Sequence, residues 1–232
     1  MKPVFGAALF GMLFGGAAHA ATVTILTDPA GAANTGALTA FATTGADMAG
    51  MQVTASFDDG FTEMATWTTT GVESGQAAGT DWSVSVTGDT FFAVWDVLHF
   101  RVGSLVRLLF EGAPGDTVFD MISSPALSPG SELGRPYTDS GPLTGDITVT
   151  YSRPLSVAGT FYGDLYLNMD VDYQALDRGG IPAQTTLMFL ADTDNVLIPG
   201  DITPAIPVPA AGLLLISALG GLGLFARRRR RA

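Results

Sequence analysis

The sequence predicts an all-β body, one β-sandwich or jelly-roll-like domain, set between two apolar terminal segments. Three observations carry that expectation. Apolar and polar residues alternate with a period of two through several short runs, the runs are separated by pieces rich in Gly, Pro, Asp and Ser, and no helical period intervenes. Eight or more short strands of this kind fit a sandwich rather than an alternating α/β layering.

The elements follow in chain order. Residues 1–20 carry a basic Lys2, an apolar stretch over 4–16 and Ala18-His19-Ala20 ahead of Ala21. Together they read as a secretory signal peptide cut between Ala20 and Ala21. The stretch is too short and glycine-rich for a permanent span, and no cysteine follows to make a lipoprotein. The body opens with its best hairpin: Val53, Ala55 and Phe57 alternate against Gln52, Thr54 and Ser56, Asp58-Asp59-Gly60 turns, and 61–69 returns with Trp67. Residues 82–86 alternate again, Gly88-Asp89 turns, and 91–100 is apolar on both faces, as a central strand would be. Further strands are expected at 105–110, 146–151, 161–169 and 186–190. Strand order is not written in the alternation.

The last segment has three parts. Pro207 and Pro209 in Ile206-Pro207-Val208-Pro209-Ala210 fix φ and hold the backbone extended. Residues 210–226 carry no charge and would form a helix of about 25 Å, at the short limit for crossing a bilayer. Arg227, Arg228, Arg229, Arg230 and Arg231 follow and would hold that end in the cytoplasm, leaving the body outside. A plain C-terminal anchor has the same topology.

This order of parts resembles the PEP-CTERM class of bacterial sorting signals, most closely its VPLPA-CTERM variant, with Ile206 and Val208 in place of Val and Leu. The resemblance implies recognition by an exosortase-type membrane enzyme, which would cut near the motif and pass the body to the cell surface or its exopolysaccharide. It also implies export through the secretion machinery and at least a transient stay in the inner membrane. In the body, residues 44–54, Gly88-Asp89-Thr90-Phe91 and Asp192-Thr193-Asp194-Asn195 resemble a group of exported bacterial proteins that carry this tail and have no assigned activity. The domain plan is therefore a signal peptide (1–20), an acidic sandwich (21–203) and a sorting segment (204–232).

Charge restricts the body's partners. Arg101, Arg107, Arg135, Arg153 and Arg178 stand against all 22 acidic residues of the chain, a formal charge of −17 without a single lysine, against −11 for the whole protein. Such a surface repels nucleic acid and anionic lipid. With no cysteine, stability must come from apolar burial, and thiol chemistry is absent.

Candidates for chemistry are sparse. Asp192, Asp194 and Asn195 place oxygens close together, a pattern that suits Ca²⁺ and equally suits ordinary Asx-turns; Asp170 and Asp172 repeat the spacing and Asp58-Asp59 could join such a site. His99 is the body's sole histidine and sits in an apolar run, which predicts a strand residue at a sheet surface or core margin. No nucleophile elbow or phosphate loop occurs. The aromatics Trp67, Trp82, Trp95, Phe57, Phe91, Phe92, Tyr162 and Tyr166 are expected to be mostly core, with Tyr162, Asp164 and Tyr166 as the more exposed trio. Two readings remain: a non-enzymatic surface or matrix domain, or an exported carbohydrate-active or carbohydrate-binding protein working with carboxylates and Ca²⁺.

Overall fold

The computed structural model describes residues 21–26, 31–39, 43–121, 127–131, 133–140 and 144–204. The signal peptide, including Ala18 and Ala20, lies outside the described residues, as do the motif Ile206 to Ala210, the expected span 210–226 and Arg227 to Arg231. Among the described residues no helix is long and apolar enough to cross a membrane.

The described chain is all-β. In order, its strands are β1 (Thr22–Ile25), β2 (Ala33–Thr35), β3 (Leu38–Thr39), β4 (Gln52–Phe57), β5 (Thr62–Thr66), β6 (Thr68–Thr69), β7 (Ser74–Ala78), β8 (Trp82–Thr87) and β9 (Trp95–His99). They continue as β10 (Ser104–Glu111), β11 (Thr117–Asp120), β12 (Thr138–Asp139), β13 (Thr148–Val157), β14 (Thr160–Asp172), β15 (Ile181–Pro182), β16 (Leu187–Leu190) and β17 (Asp192–Val196). A 3₁₀ turn at Ala113–Gly115 separates β10 from β11.

The strands form two sheets. The smaller runs β12-β16-β9-β8-β7-β6, and the larger follows β3-β17-β11-β14-β10-β4-β5 with β13, β1, β2 and β15 attached. The long β14 organises the larger sheet: β13 pairs along it, while β10 and β11 pair with its C- and N-terminal parts respectively. Between the sheets lies the main core, where Trp95 stacks on Phe189 at 5.5 Å and meets Trp67 at 5.3 Å and the edge of Phe110 at 5.7 Å. Both indole N–H groups that such burial would orphan are paired, Trp67 donating to Gly45 O and Trp95 to Ala191 O.

The rest of the larger sheet curls on itself. β2 pairs with β13, β13 with β14, β14 with β11, β11 with β17 and β17 with β3, which the two residues Gly36 and Ala37 join back to β2. This near-closed ring surrounds a second apolar cluster that includes Leu38, Val118, Leu155, Leu165, Leu167 and Val196. β13 reaches both cores because Arg153 takes a left-handed conformation (φ 56): Val149 and Tyr151 before it face the main core, and Leu155 and Val157 after it face the second.

Several expectations need correction. The strand expected over 61–69 is two strands, because the chain changes sheets at Trp67, whose backbone bonds to Met51 O while β5 stays in the larger sheet and β6 joins the smaller. The strand expected over 91–100 is only Trp95–His99, alternating rather than buried on both faces. Asp89 ends the other part: its side chain accepts from Phe91 N–H and its carbonyl from Phe92 and Ala93, making a turn in place of a ladder. The expected exposed trio is not exposed. Asp164 and Tyr166 are fully buried, because this part of β14 is covered on both faces: Tyr166 packs in the main core while Leu165 and Leu167 pack in the second.

Candidate functional site

Two groups of carboxylates stand out, one open to solvent and one interior. The open group lies where three connections meet at one end of the body: β4 to β5, β7 to β8 and β9 to β10. They line a cleft of about 460 Å³ with Asp58, Asp59, Asp81, Phe100, Arg101 and Val102.

Local bonding sets these loops in place. Gly60 N–H donates to Phe57 O and Phe61 N–H to Asp59 Oδ1, so the Asp-Asp-Gly turn is closed by its own residues, with Gly60 at φ 85. Asp58 N–H donates to Ser104 O and Phe100 N–H to Asp81 O, tying each loop to its neighbour. Gly103 is held at φ 99, and a Cβ there would come within 2.4 Å of Asp58 Oδ1. Glu63 clamps the third loop by accepting from Thr80 N–H, Thr80 Oγ1 and Trp82 Nε1 at 2.8–2.9 Å.

Arg101 is the cleft's cation. Its Nη2 reaches Asp59 at 2.5 Å, and its guanidinium lies 4.0 Å from the Phe61 ring centre and 5.6 Å from that of Phe57. The Phe61 N–H, then Arg101, hold the Asp59 carboxyl below its usual range; Thr80 N–H does the same for Glu63. Both are therefore ionised at neutral pH. Phe100 is 60% exposed and Val102 90%, an apolar rim beside charged groups.

The interior group is built on the curled ring. Asp120 on β11 and Asp192 on β17 are cross-strand partners, and Asp194 lies two residues along from Asp192 on the same face. Burial first, and then the neighbouring Asp194 and Asp120, push the Asp192 carboxyl up to about 8, despite bonds from Thr90 Oγ1 at 3.0 Å and Thr193 N–H at 2.9 Å. Asp164 accepts from Ser128 N–H at 2.5 Å and Ser128 Oγ at 2.7 Å, and Asp120 accepts from Ser131 Oγ at 2.6 Å. These acids fasten the 127–131 loop to the ring.

The expected calcium residues are only partly brought together. Asp192 and Asp194 share a face of β17, but Asn195 lies on the other and donates its Nδ2 to Asp47 O at 2.9 Å. Asp170 is held by Arg107 through two bonds of 2.6 and 2.7 Å. Among the described residues no group of three or more acids or histidines is arranged to hold a metal ion. His99 is not marginal but fully buried. Its Nε2 lies 2.7 Å from Ile181 O, and since a carbonyl only accepts, that nitrogen carries the proton. Phe57, Trp67, Trp82 and Trp95 are core, as expected, whereas Phe92 is 72% exposed.

Sequence reasoning singled out Asp58 and Asp59 but not Asp81, Phe100 or Arg101 as companions. The available signal was that all flank strand ends, which antiparallel pairing can gather at one end. Comparison with protein-family models, with curated proteins and with solved structures finds no match for this chain.

Proposed function

We propose that this chain is an exported protein whose sandwich body, residues 21–203, serves at the cell surface or in the extracellular matrix by binding, without catalysis. Residues 1–20 direct it into the secretion machinery, and 204–232 hold it in the inner membrane with the body outside until an exosortase-type enzyme reads Ile206 to Ala210. The jelly-roll-like form of the sandwich and its attachment to exopolysaccharide belong to the same reading.

One observation carries the choice of binding. The carboxylate with a raised proton affinity, Asp192, sits in the interior and bonds Thr90 and Thr193, whereas the cleft's Asp59 is held ionised by Phe61 N–H and Arg101. Glycoside hydrolysis asks for the reverse, an acid that keeps its proton facing a substrate beside a second carboxylate. The second reading, an exported carbohydrate-active protein, is favoured by the cleft, where Asp58 and Asp81 accompany an exposed aromatic ring.

Cell fractionation tests the proposal. The intact chain should yield a surface or secreted product beginning at Ala21, and Pro207→Ala with Pro209→Ala should leave the body at the inner membrane. Unchanged release of that double variant would reject the sorting role, and an intact Met1 peptide in the released fraction would reject export by cleavage.

A further inference from the structure

We infer that the cleft formed by Asp58, Asp59, Asp81, Phe100, Arg101 and Val102 binds a glycan, taking a short stretch of a neutral or amino-substituted polysaccharide. The inference rests on the reading of the body as a binding domain of the cell exterior, and names its ligand class.

Three properties of the cleft point to sugar. Its volume, about 460 Å³, falls in the range of small-ligand sites, roughly 300–1,000 Å³. Its polar groups suit a polyol: Asp58 and Asp81 are exposed and take part in no side-chain hydrogen bond or ion pair among the described residues, so their oxygens are free to accept from hydroxyls. Bonds of that kind, with an ionised acceptor, are roughly twice as strong as neutral ones. The Phe100 ring, 60% exposed beside Val102, offers the apolar surface on which the C–H face of a sugar ring packs.

Preorganisation supports a binding role. Asp58 is tied through its backbone to Ser104, Asp81 through its carbonyl to Phe100, and Arg101 by Asp59 and Phe61. Little order then has to be imposed when a ligand arrives.

Charge and shape select among partners. Three carboxylates against one arginine repel uronate, phosphate and nucleic-acid polymers and favour a protonated amino group. A peptide would add to a sheet edge or lay a helix in an apolar groove, and a cleft made of hairpin tips supplies neither.

The test is binding of the full chain, in detergent, to neutral glucan oligosaccharides, amino-sugar oligomers and uronate oligomers, measured by calorimetry. Neutral or amino-sugar oligomers should bind at least about tenfold more tightly than uronates, a difference of about 1.4 kcal/mol. Phe100→Ala and Asp81→Asn, both at exposed positions, should each weaken binding by about tenfold with an unchanged melting temperature, while Phe92→Ala, an exposed ring outside the cleft, leaves it unchanged. Absence of binding, a preference for uronates, or affinity indifferent to Phe100→Ala and Asp81→Asn overturns the inference. Mass spectrometry of the oligosaccharide after incubation separates the two readings: cleavage lost in Asp81→Asn upholds the cleft and rejects the non-enzymatic body, whereas absence of binding rejects the cleft and leaves the export result standing.

Discussion

The carboxylates at the hairpin end and those on the curled ring are the same chemical group put to opposite uses. At the hairpin end, Asp59 and Glu63 gain donors without losing much water, and their carboxyls are held below the ordinary range. On the ring, Asp192 has donors too, but burial beside Asp194 and Asp120 outweighs them, and its carboxyl rises to about 8. Donor bonds alone do not decide a carboxylate's state. Solvent and neighbouring charge do, and they separate the ionised, solvent-facing Asp59 and Glu63 from the buried Asp192, which holds its proton more tightly.

The largest expected effect breaks that comparison by pH. Asp192 has a folded value of about 8 against an ordinary 3.8, so folding takes up a proton between those limits. Below about 4 both states are protonated and nothing is lost; as pH rises towards 8 the unfolded carboxyl ionises first, so stability falls and then levels off. At about 1.4 kcal/mol per unit the ceiling is about 6 kcal/mol, and relaxation will reduce it. Asp59 and Glu63 act with the opposite sign, in acid: their contribution is present above the ordinary 3.8 and 4.5 and is lost as pH falls through their lower folded values. Urea unfolding across pH 3–9 should show this decline between about pH 4 and 8 in the parent chain. Asp192→Asn, which keeps an oxygen for Thr90 and Thr193, should flatten it and be the more stable form at pH 8.

The second effect compares one acid from each region. Asp164→Ala removes the acceptor of Ser128 N–H and Oγ in a fully buried setting and should cost about 3 kcal/mol in denaturant unfolding. Asp81→Ala, at an exposed loop tip, should stay within about 0.5 kcal/mol. Equal losses at both positions would remove the distinction between loop-holding and solvent-facing acids.

How far this division could be read beforehand depended on whether partners were local. The hairpin from Gln52 to Phe57 and back through Asp58-Asp59-Gly60 was legible because alternation, turn chemistry and pairing all lie within a few residues. β8 was legible for the same reason. β17 was not recognised as a strand: Asp192, Thr193 and Asp194 look like a polar loop, and the pairing with β11 and the bond from Thr90, 102 residues away, make them a buried strand. Asp164 was misplaced because this part of β14 is covered on both faces, and its partner Ser128 lies 36 residues off. The cleft was half legible. Asp58 and Asp59 announce themselves at a turn, whereas Asp81 and Arg101 reach it only through the order of strands in two sheets, which alternation does not encode.

The smallest effect contrasts the turns themselves. At the hairpin end the turn has Asp59-Gly60, and glycine takes the left-handed position at φ 85. The β13–β14 turn asks more, since Ala158 and Gly159 both have positive φ, 49 and 78, the pattern of a type I′ turn. Alanine is a poor residue there, while asparagine tolerates the left-handed region and Asn-Gly is a favoured pair. Ala158 is exposed, and its N–H bond to Thr35 O, which ties the turn to β2, does not involve the side chain. Ala158→Asn should therefore stabilise the fold by about 0.5 kcal/mol, raising the melting temperature by about 1–2 °C for a domain of this size. A lower melting temperature would mean that the hold of β2 on this turn, rather than the residue's own preference, sets its conformation.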